Sequence, residues 1–472
     1  MTVAVKKDGE LVMKELIMNE RRLAWCRLCP RVLAACLSCL IALHAAPAVA
    51  EDQEASQILI KNVRIFDGKE ARLSPATDVW IVGNKIEQIS TAAARSADAN
   101  AEVVDGAGRV LMPGLIESHA HLTWAATPLA DLLNSRPPYV QIVATVEAGK
   151  MLMRGVTSVR DMGGPVFGLK RAIDEGLVPG PRIYPSGAFI SQTSGHGDFR
   201  QQNDLHSQFG GQRFVMERKG HAYVVDGVPL VQAAVRENLR HGASQIKLMV
   251  GGGYASPTDP IESTQFSFDE IKAAVDAAED FGTYVAVHVY TPRGANRAID
   301  AGAKVIEHGQ LLDEKTLKRM AKEGIWLSTQ PFTTCNEPQL DDVSNAKLAV
   351  VCQGTDFVYE AIKKFPKLKV TYGTDIFNDP HNMENEIKWM DRLSEWYSPG
   401  EILIMATGTA GELLELSGIR DPYPGELGVV KEGALADLLL VDGNPLEDVK
   451  VVGELENLRV IIKDGQVYKN TL

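Results

Sequence analysis

The chain has 472 residues, a hydrophobic fraction of 45% and a formal net charge of −12. This length suits one large domain with a smaller one beside it. The acidic balance argues against nucleic acid and anionic membrane surfaces as partners, because both attract positive charge. No apolar run after residue 50 is expected to cross a membrane, so we expect no stable membrane insertion after processing.

Residues 1–50 have the features of a secretory signal peptide. Arginines at 21, 22, 27 and 31 precede an apolar run, and Ala48-Val49-Ala50 forms an A-x-A cleavage site before Glu51. We therefore expect a periplasmic or secreted protein that is cleaved near Ala50. A lipid anchor at Cys36 is the alternative, and Met13 or Met18 could be the true start.

The cysteines divide into two groups. Those at 26, 29, 36 and 39 have CxxC spacing, but they lie in the segment that we expect to be removed. Cys335 and Cys352 remain in the mature chain. In an oxidising compartment they could pair, and two free thiols are the alternative.

Two turn-rich segments, residues 57–111 and 425–472, alternate short β-strands with Asp-Gly and Gly-Asn turns. Neither segment is long enough to bury a core alone. We interpret them as two halves of one small β-domain.

Residues 112–424 alternate strand and helix patterns. Strands are predicted at GVTSVRDMG, GPRIYPSG, TYVAVHV and IWLSTQP, and helices at 267–280 and 311–324. The first of these helices opens with a capping box at Ser267 and Glu270, and Gly282 follows it. Repeated βα units predict an α/β fold, a (β/α)8 TIM-like barrel packed beside the small β-domain. Residues 188–226 break the pattern and are predicted to be a long polar loop over the barrel's C-terminal face.

Six side chains with metal-site chemistry lie at the ends of the apolar, β-rich runs. They are His119, His121, Lys247, His288, His308 and Asp375. Such ends converge on one face of a barrel, where active sites lie. Imidazole and carboxylate ligands suit zinc-like ions. An ammonium group would repel metal, so Lys247 fits only when neutral or when converted by CO2 to a carbamate.

The chain resembles the metal-dependent amidohydrolase superfamily through motifs that occur in its order. They are PGLIESHAHL, GVTSVRDMGG, SGHGD, QIKLMV, VAVHVY, VIEHG, YGTD and GVVKEGALADLLLVDGNPLED. The lysine and the SGHGD loop are similar to the subgroup of zinc carboxypeptidases and Xaa-Pro dipeptidases, which is related to fungal ochratoxinase. Glu117 departs from the pattern, because the superfamily usually has Asp there, in a position that supports the metal ligands.

The resemblance implies a binuclear zinc site and amide hydrolysis by attack of a metal-bridging hydroxide. His119, His121 and Asp375 would hold one Zn²⁺ and His288 and His308 the other. Carboxylated Lys247 would bridge them. Asp375 would also act as the catalytic acid and base, moving the proton of the attacking hydroxide to the leaving amine.

The implied substrate is a small peptide or an N-acyl amino acid, cut next to a C-terminal residue. His196, Asp198 and Tyr290 are the candidate substrate contacts, and the arginines at 200, 213 and 218 could bind a carboxylate. His241 is predicted to cap a helix, and His206 and His221 to be solvated.

Several alternatives stay open. A lactonase or another amidase would use the same fold, and an inactive metal-binding scaffold would keep it. Deamination is disfavoured, because Thr291 stands where deaminases of the superfamily have Glu. The sequence leaves the oligomeric state open, with a homo-oligomer as one alternative.

Overall fold

The computed structural model describes residues 55–93, 100–256, 258–337 and 340–472. The predicted signal peptide, its cleavage site and the four leader cysteines lie outside these ranges.

The secondary structure alternates strands and helices through the middle of the chain. The strands of the described residues are β1 (Gln57–Ile65), β2 (Thr77–Val82), β3 (Lys85–Ile89), β4 (Glu102–Asp105), β5 (Val110–Pro113), β6 (Leu115–Ala120), β7 (Val156–Asp161), β8 (Arg182–Pro185), β9 (Phe189–Ser191), β10 (Ala222–Val224), β11 (Ile246–Met249), β12 (Val285–Val289), β13 (Val305–His308), β14 (Trp326–Thr329), β15 (Val370–Tyr372), β16 (Leu438–Val441), β17 (Leu458–Lys463) and β18 (Gln466–Asn470). The α-helices are α1 (Leu122–Ala125), α2 (Leu129–Asn134), α3 (Pro137–Met153), α4 (Phe167–Asp174), α5 (Val215–Arg218), α6 (Val228–His241), α7 (Phe268–Glu279), α8 (Pro292–Ala301), α9 (Glu314–Glu323), α10 (Asp342–Ile362), α11 (Pro380–Met383), α12 (Pro399–Met405) and α13 (Gly408–Leu414). Short 3-10 helices are Ser207–Phe209, Lys388–Glu395, Glu415–Arg420 and Val449–Gly453.

A mixed sheet joins strands from both turn-rich segments. Its order is β18-β17-β16-β5-β1-β2-β3, and β4 pairs with β1. The seam between the segments is antiparallel and pairs Leu438 with Pro113 and Val441 with Val110. Alternate side chains, including Ile60 and Ile462, form a separate hydrophobic cluster. Strand β5 ends at Pro113, so this sheet extends two residues past residue 111.

Parallel strands form the rest of the β-structure. One sheet has the order β10-β9-β11-β12-β13-β14-β15, and a second has the order β6-β7-β8. Most of these strands are buried along their whole length, as expected for parallel strands that helices cover on the outside. The predicted capping box is confirmed, because Ser267 accepts from the backbone N–H of Glu270 at the start of α7.

Five of the six candidate metal ligands lie near or just beyond the carboxyl ends of these parallel strands, and Lys247 lies within β11. His119 is in β6 and His121 follows it. Lys247, His288 and His308 lie in β11, β12 and β13, and Asp375 is three residues beyond β15. Because the strands are parallel, their carboxyl ends meet at one edge. A backbone hydrogen bond of 3.0 Å from Asp375 N–H to His119 C=O joins the first and last strand ends.

The long polar segment, residues 188–226, is more regular than predicted. It begins with β9 and ends with β10, which pairs with β9 in parallel, and it contains helix α5. Its apolar side chains Phe189, Phe214 and Met216 belong to a cluster around Trp124. These three apolar side chains pack the segment against the core. They are few among many polar residues, so the sequence pattern did not indicate this packing.

The two cysteines of the described chain are paired. Cys335, in the segment after β14, forms a disulfide with Cys352 of α10, and their Cα atoms are 5.7 Å apart. The disulfide links the segment between β14 and α10 to the middle of that long helix.

Residues Pro399–Arg420 have the length and composition of a membrane span. In the structure they form α12, α13 and a 3-10 helix, and 56% of their most apolar window is buried. Core helices of a folded domain meet the same criteria, and α12 and α13 pack against β15.

Candidate metal centre

Asp375 lies at the centre of three imidazoles. Its Oδ1 is 3.3 Å from His121 Nε2 and 3.5 Å from His119 Nε2, and its Oδ2 is 3.7 Å from His308 Nδ1. Ligand atoms of His119, His308 and Asp375 all lie within 4.8 Å of one another, close enough to share one ion. Asp375 adopts a left-handed backbone conformation with φ 52°, so the turn after β15 is constrained.

Lys247 and His288 complete the set that the sequence predicted. Lys247 Nζ is 3.1 Å from His119 Nε2, and the ring of His288 lies 4.3 Å from that of His308. The Nε2 of His288 is 3.2 Å from the carbonyl of Gly252, so its Nδ1 is the nitrogen left for a metal. The fold therefore brings all six predicted residues together.

Burial sets the protonation of these groups. It lowers the pKa of His119 and His288 well below the ordinary value and that of His308 to about 4, and neighbouring cationic groups add to the effect. Burial also lowers the pKa of Lys247 to about 8. For Asp375 burial acts upward, but the surrounding histidines hold its pKa below the ordinary value.

These protonation states fit a metal ion. Neutral imidazoles and an ionised carboxylate are the forms that bind zinc. Nε2 of His308 is buried and has no hydrogen-bond partner among the described residues, which is unusual for a polar atom in a core. A bound cation would satisfy it.

A buried ion pair that sequence reasoning missed supports His119. Glu307 Oε2 is 2.7 Å from His119 Nδ1, and Glu307 Oε1 accepts from Arg160 at 2.6 Å. Arg160 also donates to the carbonyl of Ser118, and neither charged side chain is exposed. Fixing Nδ1 of a histidine leaves its Nε2 for a metal. The sequence signal was a charged residue inside an apolar strand, Glu307 in VIEH and Arg160 in GVTSVRD.

Glu117 holds the backbone around the ligands. Its carboxyl group accepts from the N–H of His119 at 2.8 Å and from the N–H of Thr374 at 3.0 Å. Burial raises its pKa to about 8, although these hydrogen bonds act in the opposite direction. Glu117 therefore joins the ends of β6 and β15, as expected for a supporting residue.

A cavity opens onto the six side chains of this set. Its walls combine the ligands with aromatic, apolar and polar side chains. They are His119, His121, Phe189, His196, Phe199, Lys247, Met249, Tyr254, Ala255, His288, Tyr290, His308, Asp375 and Phe377.

Of the three predicted substrate contacts, two line the cavity and one does not. His196 and Tyr290 line the cavity, and both rings contact that of His288, at 4.3 and 5.2 Å. Asp198 does not line it. Its carboxylate binds the guanidinium of Arg200 and the N–H of Ser194, and so shapes its own loop.

The three loop arginines, which were possible contacts for a substrate carboxylate, have other surroundings in the structure. Arg200 is paired with Asp198 at 2.6 Å, and Arg213 and Arg218 are exposed. None of the three lines the cavity among the described residues.

Two further histidines were predicted to be solvated and are buried instead. His221 packs edge-on against Trp124, with ring centroids 5.1 Å apart, and burial lowers its pKa to about 3. His206 accepts from the N–H of Gln208 and caps a 3-10 helix. His241 lies in the last turn of α6, as predicted, and pairs with Glu237.

Comparison with known proteins gives consistent matches. The sequence pattern of the Amidohydrolase family matches residues 110–468. The chain is 31% identical over 377 residues to ochratoxinase of Aspergillus niger, covering 76% of each chain. A crystal structure of a prolidase with N-methylphosphonate-L-proline has 35% identity and a TM-score of 0.80, covering 88% of this chain and 100% of that one. A Xaa-Pro dipeptidase with bound methionine has 28% identity and a TM-score of 0.75, covering 88% and 100%.

Proposed function

This chain belongs to the amidohydrolase family, is related to ochratoxinase and is a hydrolase acting on carbon–nitrogen bonds, and we propose that it cleaves the amide next to a C-terminal residue with two zinc ions. The observation that carries the proposal is the set of six converging side chains at one cavity. The relatives named for prolidase, Xaa-Pro dipeptidase and ochratoxinase activity support an amide substrate.

His119, His121 and Asp375 would hold one zinc ion, and His288 and His308 would hold the other. Lys247 would bridge the two as a carbamate, formed when its neutral amine adds CO2 and releases a proton. Its burial, its lowered pKa and its contact with His119 support this assignment. A carbamate carries a negative charge, so it removes the conflict between an ammonium group and a cation.

When bound, two zinc ions make a water molecule acidic enough to act as a nucleophile near neutral pH and polarise the scissile carbonyl. Asp375 would accept the proton of that water at a carboxylate oxygen and deliver it to the nitrogen of the leaving amine. Phe189, Phe199 and Phe377 make part of the cavity wall apolar, which helps to exclude bulk water.

The substrate would be a dipeptide or an N-acyl amino acid with a free α-carboxylate. Because the loop arginines lie elsewhere, the carboxylate would be bound by polar groups of the cavity wall, among which are His196, Tyr254 and Tyr290.

We also infer that the two parallel sheets close into one (β/α)8 barrel over residues 112–424, beside a small β-domain of residues 57–111 and 425–472. Two observations support this. Strand β8 leads into β9 across only three residues, which joins the sheets on one side, and the bond from Asp375 to His119 joins β15 to β6 on the other.

Export to the periplasm or the medium remains a proposal. The disulfide between Cys335 and Cys352 supports it, because disulfides persist in oxidising compartments. N-terminal sequencing of exported protein should give a start near Glu51.

The function is tested by a hydrolysis screen. Zinc-loaded mature protein would be assayed on dipeptides, N-acyl amino acids, C-terminal amides and lactones. We expect cleavage of dipeptides or N-acyl amino acids. Substrates with a free α-carboxylate should be turned over faster than the matching C-terminal amides. Equal rates on amides would indicate a general amidase, and turnover of lactones alone would refute the proposal. Inactivity on every class, with zinc bound, would indicate a metal-binding scaffold.

Metal analysis tests the binuclear site separately. Protein purified without chelator and supplied with zinc and bicarbonate should hold about two equivalents of zinc. A content that stays near one would contradict the two-ion site.

A further inference from the structure

Lys347 of α10 holds the backbone of Gly253, Ser256 and Asp259, a segment that also carries Tyr254 and Ala255 of the cavity wall. Its ammonium donates to the carbonyls of Gly253 at 3.0 Å and Asp259 at 2.6 Å, and also to that of Ser256. The side chain is only 13% exposed. A buried ammonium with three carbonyl partners fixes the backbone that it contacts.

Asp259 connects this segment to His196. One oxygen, Oδ2, accepts from the N–H of Gly253 at 2.7 Å and lies 3.2 Å from His196 Nδ1. The side chain of Asp259 is fully buried. His196 belongs to the loop after β9 and Gly253 to the loop after β11, so a single carboxylate fixes two loops relative to each other.

Close packing around the ring of His196 restricts its position. A Cβ atom on Gly253 would lie 2.0–2.4 Å from three ring atoms of His196, so only glycine fits there. The ring also stacks on that of His288, at 4.3 Å between centroids and an interplanar angle of 17°. Gly253 and His288 both pack against the ring of His196. Because Nδ1 contacts Asp259, Nε2 is the ring nitrogen left for the cavity.

Tyr254 follows Gly253 directly and also lines the cavity. Its ring contacts that of Phe332 at 5.5 Å, which supports it from behind. Burial raises the pKa of Tyr254, so its hydroxyl keeps its proton and can donate a hydrogen bond. For Asp259, burial acts to raise the pKa, but His196 and the bound N–H groups hold it below the ordinary value, so the carboxylate is ionised.

We propose that Asp259 and Lys347 are positioning residues that hold His196 and Tyr254 at the spacing that recognises a carboxylate on the substrate. The inference rests on the proposed function for its substrate class. It assigns the preference for a substrate carboxylate to the cavity wall formed by the loops after β9 and β11, which α10 supports. Because the loop arginines lie outside the cavity, loosening this wall should weaken carboxylate binding while leaving the metal ligands in place.

The test compares Lys347→Met and Asp259→Asn with the wild type. Zinc-loaded proteins would be titrated calorimetrically with L-methionine and with L-methioninamide, which differ only in the carboxylate. Lys219→Met is the matched control, because Lys219 also donates to three carbonyls, those of Leu132, Leu133 and Ser135, but does not line the cavity.

The wild type should prefer the carboxylate about tenfold or more, and both variants should lose most of that preference. Zinc content should stay at the wild-type value, and the control should keep the preference. An unchanged preference in both variants, equal loss of both probes, or no preference in the wild type would overturn the inference. A wild type that shows the preference but cleaves neither dipeptides nor N-acyl amino acids would instead refute the proposed function.

Discussion

Replacing Glu307 by glutamine should separate metal binding from fold stability at this centre. The carboxylate contacts His119 Nδ1 at 2.7 Å and Arg160 at 2.6 Å, and all three side chains are fully buried. Glutamine keeps the volume and one acceptor oxygen. Glutamine lacks the negative charge that pairs with Arg160. It also replaces one of the two carboxylate oxygens that contact His119 and Arg160 with an amide group.

The magnitude follows from these two contacts. Leaving Arg160 buried without its anion should lower the free energy of unfolding by about 3 kcal/mol, since broken buried pairs cost roughly 3–5 kcal/mol. Loss of the group that orients a ligating histidine should weaken zinc affinity by about 10- to 100-fold.

The assay measures unfolding in denaturant without metal and zinc affinity by competition with a chelating dye. The double variant Arg160→Met with Glu307→Gln removes the unpaired charge, so it should recover part of the lost stability. It should not recover zinc affinity, because the carboxylate contact with His119 is still missing. Asp437→Asn is the matched control, because it breaks the buried pair with Arg182 away from the ligands.

Wild-type zinc affinity in Glu307→Gln would refute the role of Glu307 in orienting His119. A double variant that is no more stable than the single one would show that the unpaired charge of Arg160 is not the cause of the instability. Weaker zinc binding in Asp437→Asn would mean that the affinity follows general stability.

Lys247→Ala should lose most turnover and hold less zinc, and acetate should restore part of both, because a small carboxylate can occupy the position of the proposed bridge; full activity without acetate would contradict the bridge. Asp375→Asn should reduce kcat by at least about a hundredfold, the contribution of a general acid and base, with a much smaller change in stability. His221→Phe should flatten the pH dependence of stability. The pKa of His221 is about 3 in the folded protein and 6.5 in the unfolded chain. The contribution of the neutral, buried imidazole to the free energy of unfolding is therefore fully present above pH 6.5 and is lost as the pH falls toward 3. The wild type should therefore lose about 2–3 kcal/mol more than the variant between pH 7 and 4.5 in denaturant melts of metal-free protein.

Local sequence patterns were sufficient to predict the strands, the capping box at Ser267 and the six side chains that converge at the cavity. Each of these follows from neighbours in the sequence: apolar runs end in a polar ligand, and Ser267 and Glu270 are three residues apart. Because the strands of a parallel sheet run in one direction, their carboxyl ends lie at the same edge, and the side chains there come together. The family resemblance also followed from short motifs, and the match over residues 110–468 confirms it.

The tertiary structure decided which polar groups face the cavity. Arg200 and Asp198 neutralise each other two residues apart, and His221 is buried against Trp124, although all three lie in a polar segment. Exposure depends on what packs over a loop, and those neighbours are far away in the sequence.

The supporting pairs are long-range for the same reason. Glu307 meets His119 across 188 residues, and Lys347 meets Gly253 across 94. A charge inside an apolar strand signals that a partner must exist, because an unpaired buried charge is too costly. The sequence by itself determined the motifs and the strand ends that carry the candidate ligands. Only the folded chain, which fixes distances between remote strands and loops, decided that Glu307 meets His119 and Arg160 and that Lys347 meets Gly253.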